Sequence, residues 1–216
     1  MKRDKPVSNS VINRLPRYYR FLGKLLSENI TRVSSKELST LMKVTASQIR
    51  QDLNCFGGFG QQGYGYNVEL LHKEIGEILG VDNKTPAILI GAGNLGKVIA
   101  TQVNLETRGF RLIGAFDRSP AIVGQPLVGL TVRDISELSD FCTHYHPKAA
   151  IICIPTSAAA ELADTLVDLG IVGFWNFSSY DFSYSHENIK VVNVHLSDSI
   201  MTLSYKVTHL NEDGEE

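Results

Sequence analysis

The sequence predicts an α/β protein built from two parts of different character. Its 216 residues are 43% hydrophobic and 20% charged, which is typical of a folded globular chain. Residues 1–66 carry 11 lysines and arginines against 4 acidic residues, whereas residues 67–216 carry 10 against 19. Helical periodicity fills the basic part, and short apolar runs alternate with helical segments in the acidic part. We therefore expect a basic helical module joined to an acidic α/β body.

The same composition excludes several classes of protein. No apolar run reaches the roughly 18 residues of a membrane span, and the first ten residues lack the apolar stretch of a signal peptide. The three cysteines, Cys55, Cys142 and Cys153, form no CxxC pair. We therefore expect free thiols, no metal site, no membrane partner and a cytoplasmic location.

The basic part begins with apolar residues at helical spacing between Val7 and Asn29. Pro16 lies inside this pattern and lacks a backbone donor, so we expect the helix to break there. Ser34 and Glu37 then have the spacing of a capping box ahead of a short apolar helix. We expect that helix to end at Val44.

A second capping box, Thr45 with Gln48, opens the next helix, whose apolar positions continue to Phe56. Two short capped helices about three residues apart form a helix-turn-helix. Five glycines between positions 57 and 65 alternate with aromatic residues, as in a tight β-hairpin. Asn67 and Gly80 are suitable caps for one more helix.

This order of elements predicts a winged-helix domain, which we assign to residues 1–82. The second helix of such a pair enters the major groove of DNA. We expect DNA contacts from seven residues of this helix and the hairpin, namely Ser47, Gln48, Arg50, Gln51, Gln62, Gly63 and Tyr64. Arginine can read guanine and glutamine can read adenine, while serine can bind phosphate. The basic charge favours double-stranded DNA over the alternative, a winged helix that contacts protein.

The acidic part opens with the apolar run Ala87–Ile90 and a glycine motif that follows it directly. The motif consists of Gly91, Ala92, Gly93, Asn94, Leu95 and Gly96, and a helix is expected from Leu95 to about Glu106. A GxGxxG motif between a strand and a helix is typical of dinucleotide-binding domains. Its first glycine allows the tight turn, its second lets a pyrophosphate approach, and its third lets the helix pack on the strand.

A second apolar run, Leu112–Phe116, ends at Asp117, which lies 21 residues after Gly96. An acidic side chain there can accept both ribose hydroxyls of NAD and repel the 2′-phosphate of NADP. Arg118 beside it weakens that exclusion slightly. We therefore expect an NAD(H) site, and the alternative is an empty structural Rossmann unit.

The alternation of strands and helices continues beyond this point. We expect helices over 134–142 and 157–169, and strands over 149–154, 173–177 and 191–194. This pattern predicts a Rossmann-type doubly wound parallel sheet over residues 83–195. Ligands lie across the carboxyl ends of such strands, so the loops after Asp117, Ile154 and Asn176 should wall the nicotinamide side. Pro155 and Asn176 are the expected cofactor contacts from the last two loops.

The final segment, Leu196 to His209, is apolar and helical in pattern, and a polar tail follows it. Its apolar residues must pack on something, and the residues alone leave open whether that is the same subunit.

No catalytic residue is assigned, because no segment remains that could form a substrate domain. His144 and His146 follow a helix at the edge of the sheet away from the ligand, and His195 is better placed to cap a helix. Cys153 is expected within a buried strand, which disfavours a nucleophile. A binding protein is therefore favoured over an enzyme.

Seven segments in order along nearly the whole chain carry a family resemblance. They are RLPRYYRFL (14–22), RVSSKEL (32–38), QIRQDL (48–53), GYGYNV (63–68), GAGNLG (91–96), AFD (115–117) and WNF (175–177). The set resembles Rex, the family of redox-sensing transcriptional repressors of bacteria. The resemblance implies a homodimer that exchanges its C-terminal helices (196–216) and binds palindromic operator DNA. It also implies release by NADH and control of genes for fermentation and anaerobic respiration.

The chain departs from the pattern of this family at several positions. Gln51, Gln61 and Gln62 stand where basic residues are usual, which implies weaker DNA binding with a flatter salt dependence. Gln102 and His195 stand where the family has a tyrosine and an aspartate that link cofactor to DNA-binding domain. Two alternatives stay open: a dinucleotide-binding regulator without selectivity between NADH and NAD⁺, and a small NAD-dependent oxidoreductase.

Overall fold

The computed structural model describes residues 7–56, 60–61, 64–184 and 186–209. The chain divides into two compact units, Met1–Asp82 and Asn83–Glu216. Each unit has its own hydrophobic core.

The first unit is helical with a small antiparallel sheet. Its helices are α1 (Asn9–Ser27), α2 (Ser35–Met42), α3 (Ala46–Asn54) and α4 (Val68–Leu79). Its strands are β1 (Arg32–Val33), β2 (Gly60–Gln61) and β3 (Gly65–Asn67), in the order β1-β3-β2. A helix pair followed by a β-hairpin and a further helix is a winged helix, as predicted.

The helix ends form largely as the cap residues dictate. Ser34 and Glu37 make a complete capping box. The second box is only half formed, because Thr45 accepts the Gln48 N–H at 3.1 Å while the Gln48 side chain turns to Asp52 instead. Helix α2 ends at Met42, before the expected Val44, because Lys43 adopts a left-handed C-cap, and Phe56 lies beyond the end of α3.

The predicted break at Pro16 is wrong, since α1 runs through it without interruption. The proline ring lies on the exposed side of the helix, whereas Leu15 and Tyr18 are fully buried. A proline inside a helix costs about 3 kcal/mol. Burying one large side chain contributes about 1.5–3 kcal/mol, so these two offset that cost.

A buried carboxylate joins α3 to α1. Asp52 is 1% exposed and accepts hydrogen bonds from three side chains. Arg14 donates to both of its oxygens at 2.7 Å, the Tyr18 hydroxyl donates at 3.0 Å, and the Gln48 amide nitrogen donates at 2.8 Å. Burial raises the pKa of Asp52, but these hydrogen bonds and the charge of Arg14 outweigh it, and the net pKa lies below its ordinary value.

The second unit is a seven-stranded sheet with helices on both faces. Its strands are β4 (Thr85–Ile90), β5 (Phe110–Asp117), β6 (Pro126–Leu127), β7 (Leu130–Asp134), β8 (Ala149–Ile152), β9 (Gly173–Asn176) and β10 (Lys190–Asn193). Its helices are α5 (Asn94–Gln102), α6 (Leu138–Tyr145), α7 (Thr156–Asp168) and α8 (Leu196–Thr208). The strand order is β10-β9-β8-β4-β5-β7-β6, and every pair is parallel except β6 with β7.

The alternation of side chains along β4 explains why helices cover both faces. Ile88 and Ile90 pack with residues of α6 and α7, whereas Leu89 packs with residues of α5. Beside β4 the order in which successive strands are added to the sheet reverses, since β5 and β7 lie on one side of it and β8, β9 and β10 on the other. This position is the topological switch point of the fold. The Rossmann-type doubly wound sheet is thereby confirmed.

Some element bounds differ from the prediction. Helix α5 ends at Gln102, and Glu106 belongs to a separate 3-10 turn. Helix α6 begins at Leu138, because Asp134 caps a preceding 3-10 turn. The hairpin of β6 and β7 lay in a stretch for which no strand was expected.

The Asp52 carboxylate makes the stability of the first unit depend on pH in the acidic range. Its folded pKa is depressed, so its contribution is complete above the unfolded value of about 3.9 and is lost as pH falls through the folded value. As the pH falls below about 5, the free energy of unfolding should therefore decrease more steeply for the unaltered protein than for Asp52→Asn. Chemical denaturation across this range measures it, and parallel pH profiles would contradict the assignment.

Candidate cofactor and nucleic-acid sites

The three glycines of the motif have different tasks. Gly91 has φ +94°, and a Cβ there would lie 2.5 Å from the backbone oxygen of Cys153. A Cβ at Gly96 would overlap the backbone oxygen of Gly91. A Cβ at Gly93 would meet nothing within 4 Å. The outer two glycines are therefore required by packing, whereas Gly93 faces open space at the entrance to α5.

The start of α5 is free of side-chain caps. Gly93 occupies the N-cap position with extended backbone, and no side chain bonds to the first-turn N–H groups. Asn94 is exposed and Leu95 is half-buried in that first turn. Uncapped N–H groups and the positive end of the helix dipole suit a phosphate.

Asp117 fixes the loop from the neighbouring strand. Its Oδ2 accepts the N–H of Ala92 at 2.8 Å, and its Oδ1 accepts the N–H of Ser119 at 2.9 Å. Each carboxylate oxygen has a further lone pair that can accept a hydroxyl. The Ala92 N–H is thus used within the protein, and the carboxylate is held at the end of β5 where a ribose is expected.

A pocket of about 300 Å³ lies beside Asp117 and Gly93. Ile135, Ile154 and Leu162 are among its apolar lining residues. Its charged and polar lining comes from Asp117, Arg118 and Glu161, and Pro155 also lines it. An apolar slot with charged groups beside it suits a flat base attached to a ribose.

Helix α7 also lines this pocket, which was not expected from the sequence. Ala158, Glu161 and Leu162 are spaced i, i+3 and i+4, so they share one face of the helix. That spacing was visible in the sequence, but which face of α7 would meet the ligand edge was not.

Asn176 is not brought into this pocket. It is fully buried, and its amide donates to the Tyr180 carbonyl at 2.7 Å and to Asn193 Oδ1 at 2.8 Å. Its own oxygen accepts from Ser178. These hydrogen bonds use the side chain of Asn176 to stabilise the loop after β9.

Three further residues, Cys153, His195 and Gln102, lie at the ends of elements. Cys153 lies directly after β8 rather than inside a strand, and it lines the pocket while half-buried. Burial raises the pKa of its thiol to about 12, so the group is neutral at ordinary pH. His195 is the N-cap residue of α8, the position expected for it, but its side chain makes no capping hydrogen bond. Gln102 is exposed at the end of α5.

The expected DNA-contact residues of α3 lie on its outer side. Ser47, Arg50 and Gln51 are exposed, while Ile49 and Leu53 are fully buried on the opposite face. Gln48 is half-buried beside them, so this arrangement leaves four polar side chains available to a groove.

The remaining contacts connect this helix and the hairpin to their neighbours. Arg50 Nη1 donates to the Ser35 hydroxyl at 3.1 Å. Tyr64 is 69% exposed, and its carbonyl accepts from Arg32 at 3.3 Å. Gln62 and Gly63 lie outside the described residues.

Within the described ranges there is neither a metal-binding cluster nor a membrane-spanning helix. No group of three or more histidine, cysteine, aspartate or glutamate side chains in those ranges could hold a metal ion. No helix there is both long and apolar enough to cross a bilayer.

Family models match both units of the chain. A model described as a putative DNA-binding protein N-terminus matches residues 6–54, and one described as a CoA binding domain matches residues 82–180.

Two curated relatives are similar over nearly the whole chain. The redox-sensing transcriptional repressor Rex of Caldanaerobacter subterraneus subsp. tengcongensis is 50% identical over 213 residues, which cover 99% of this chain and 93% of the relative. The Rex of Clostridioides difficile is 48% identical over 202 residues, which cover 94% and 96%.

Solved structures agree with these relatives. RSP in complex with β-NAD⁺ and operator DNA has a TM-score of 0.88 and 47% identity, covering 96% of this chain and 95% of that chain. RSP in complex with β-NADH has a TM-score of 0.87 and 44% identity, covering 96% and 97%. With a winged helix, a dinucleotide-type loop and near-half identity along its length, this chain belongs to the Rex family of redox-sensing transcriptional repressors.

Proposed function

We propose that this protein represses transcription by binding operator DNA, and that NADH releases it. The observation that carries the proposal is the open space at Gly93 beside the fixed Asp117 carboxylate, in a chain that also contains a winged helix. Among its relatives, RSP binds β-NADH in one structure and β-NAD⁺ with operator DNA in another.

The cofactor contacts follow from the geometry of the loop. The pyrophosphate enters over Gly93 and meets the uncapped first turn of α5 at Asn94 and Leu95. Asp117 accepts the ribose hydroxyls, and the apolar slot beside Pro155 takes the base. Arg118 stands at the same pocket, where Glu161 supplies a further negative charge against a 2′-phosphate.

The DNA contacts come from the first unit, residues 1–82. Helix α3 presents four polar side chains to the major groove, namely Ser47, Gln48, Arg50 and Gln51. Tyr64 of the hairpin reaches the flanking backbone. Gln62 and Gly63 complete this proposed set. A role on operator DNA requires the compartment that holds the chromosome, which in bacteria is the cytoplasm.

A homodimer with exchanged C-terminal helices explains the surface of α8. No residue of α8 is buried, and six apolar side chains are 55–65% exposed. They are Leu196, Ile200, Met201, Leu203, Tyr205 and Val207. Four of them recur at spacings of three and four residues, so they form one stripe that a second copy can cover. A two-fold dimer then matches the two-fold symmetry of a palindromic operator.

Redox sensing needs no catalytic residue, and we assign none. The ligand shifts the dimer between two arrangements, and it weakens DNA binding by the difference in its affinity for them. The neutral Cys153 thiol is consistent with binding alone.

The direct test is operator affinity in the presence of NADH or NAD⁺. NADH should weaken binding by about 5- to 150-fold, the usual range of allosteric coupling. Gly93→Val should abolish this response and keep both the fold and operator binding, because its side chain enters only the space for pyrophosphate. Thr101→Val, on the same helix away from the loop, is the matched control.

The other outcomes of this titration distinguish the proposed site from the two alternative functions. A folded Gly93→Val protein that still responds to NADH would disprove the site. Equal responses to NADH and NAD⁺ would favour the regulator without redox selectivity. Steady NADH oxidation with an added substrate would favour the oxidoreductase.

Arg50 should read a base edge. Arg50→Ala should weaken binding to the preferred operator by about 1–3 kcal/mol and relax the preference at one position of each half-site. The control Lys73→Ala removes an equal charge from α4 and should leave the preference unchanged. Affinities for a panel of single-base variants measure both effects, and unaltered specificity in Arg50→Ala would remove this residue from the base-reading set.

Deleting residues 196–216 should abolish the dimer. The exposed apolar stripe of α8 is then lost, and the surface that it covers on the partner becomes exposed, so monomer or aggregate should form. Deleting only 210–216 should leave the dimer intact. Light scattering distinguishes the two truncations, and a stable dimer without α8 would show that the interface lies elsewhere.

A further inference from the structure

We propose that Arg14 of α1 is a positioning residue for DNA specificity. It acts through Asp52 and holds the Gln48 side chain of α3 in the orientation that reads a base. The inference rests on the proposed DNA binding by the winged helix, and it assigns specificity to a residue of a helix other than α3.

The geometry begins with one turn of α3. Gln48 and Asp52 are four residues apart, so their side chains lie on the same face. Asp52 is 1% exposed, whereas Gln48 is half-buried near the N-terminal end of the helix. Residues at that end of a recognition helix contact base edges. Gln48 therefore stands between the core of the unit and the surface that meets DNA.

The chemistry of Asp52 decides which way the Gln48 amide faces. A charged carboxylate only accepts hydrogen bonds, so the amide must direct its nitrogen toward Asp52, at 2.8 Å. The amide oxygen then faces elsewhere and can accept from a base. Together with the second N–H, it forms the acceptor–donor pair that matches the N6 and N7 edge of adenine. An amide without this contact can rotate and present either end.

Arg14 is what keeps Asp52 in place. Its guanidinium binds the carboxylate through two parallel hydrogen bonds of 2.7 Å, and the Tyr18 hydroxyl adds a third from the same helix. Three bonds from α1 fix the plane of the carboxylate and leave Gln48 as its contact from α3. A lysine supplies the charge at this position without the planar fork, so it holds the carboxylate less firmly.

Arg50 provides an internal reference for this inference. Its guanidinium reaches Ser35 of α2 and makes no bond with the Asp52 group. A disturbance of Arg14 should therefore change the preference that depends on Gln48 and spare the preference that depends on Arg50.

The experiment measures affinity for every single-base variant of the preferred operator. Gln48→Ala should reduce discrimination by about 5- to 150-fold at one position of each half-site. Arg14→Lys should reduce discrimination at that same position by roughly threefold or more, leaving the Arg50-dependent position unchanged. The double variant should lose no more than Gln48→Ala alone. Arg17→Lys, the same change on the same helix away from Asp52, is the matched control.

Three outcomes would overturn the inference. The first is full discrimination in Arg14→Lys, the second is an equal loss at all positions, and the third is a further loss in the double variant.

Tyr18→Phe keeps the test decisive if Arg14→Lys fails to fold. It removes only the hydroxyl that donates to Asp52, and it should produce a smaller loss at the same position. Undiminished discrimination in a folded Tyr18→Phe protein would then count against the inference. Absence of sequence-specific binding by the unaltered protein would overturn the proposed function itself, so the two failures are distinguishable.

Discussion

The proposed cofactor site depends on the pairing of β4 with a parallel strand on each side. Beyond the last paired residues, the Gly91 N–H donates to the Phe116 carbonyl and the Cys153 N–H donates to the Ile90 carbonyl, each at 2.8 Å. These bonds hold the ends of three strands at one edge, and only a glycine at position 91 permits so close an approach to Cys153. The pocket beside Asp117 exists because three chain ends converge there, and each loop contributes few residues to it.

Both units use a carboxylate as a fixed anchor, and its burial decides what it can do. Asp52 is enclosed and saturated by three side chains, so it can only position its neighbours. Asp117 is partly exposed and is bonded by two backbone N–H groups, so it keeps lone pairs for a ligand. The same residue type is therefore fully occupied within one unit and available to a ligand in the other.

Local chemistry was predictable from the sequence, and long-range contacts were not. The packing of Gly96 on Gly91 and the Ser34 cap depend on neighbours within a few residues, and both form as expected. The continuity of α1 at Pro16 depends on which side of the helix is buried. The inward turn of Asn176 depends on Asn193, 17 residues away on the next strand. Such contacts are fixed by tertiary packing, which periodicity does not reveal.

The proposed link between cofactor and DNA follows from where α8 begins. Asn176 closes the loop after β9 and bonds to Asn193, which is three residues before α8. The base of the exposed helix is thus bonded to the edge of the sheet that holds the proposed cofactor pocket. A ligand that moves this edge would move the helix, and a helix exchanged between subunits would carry the change to the partner.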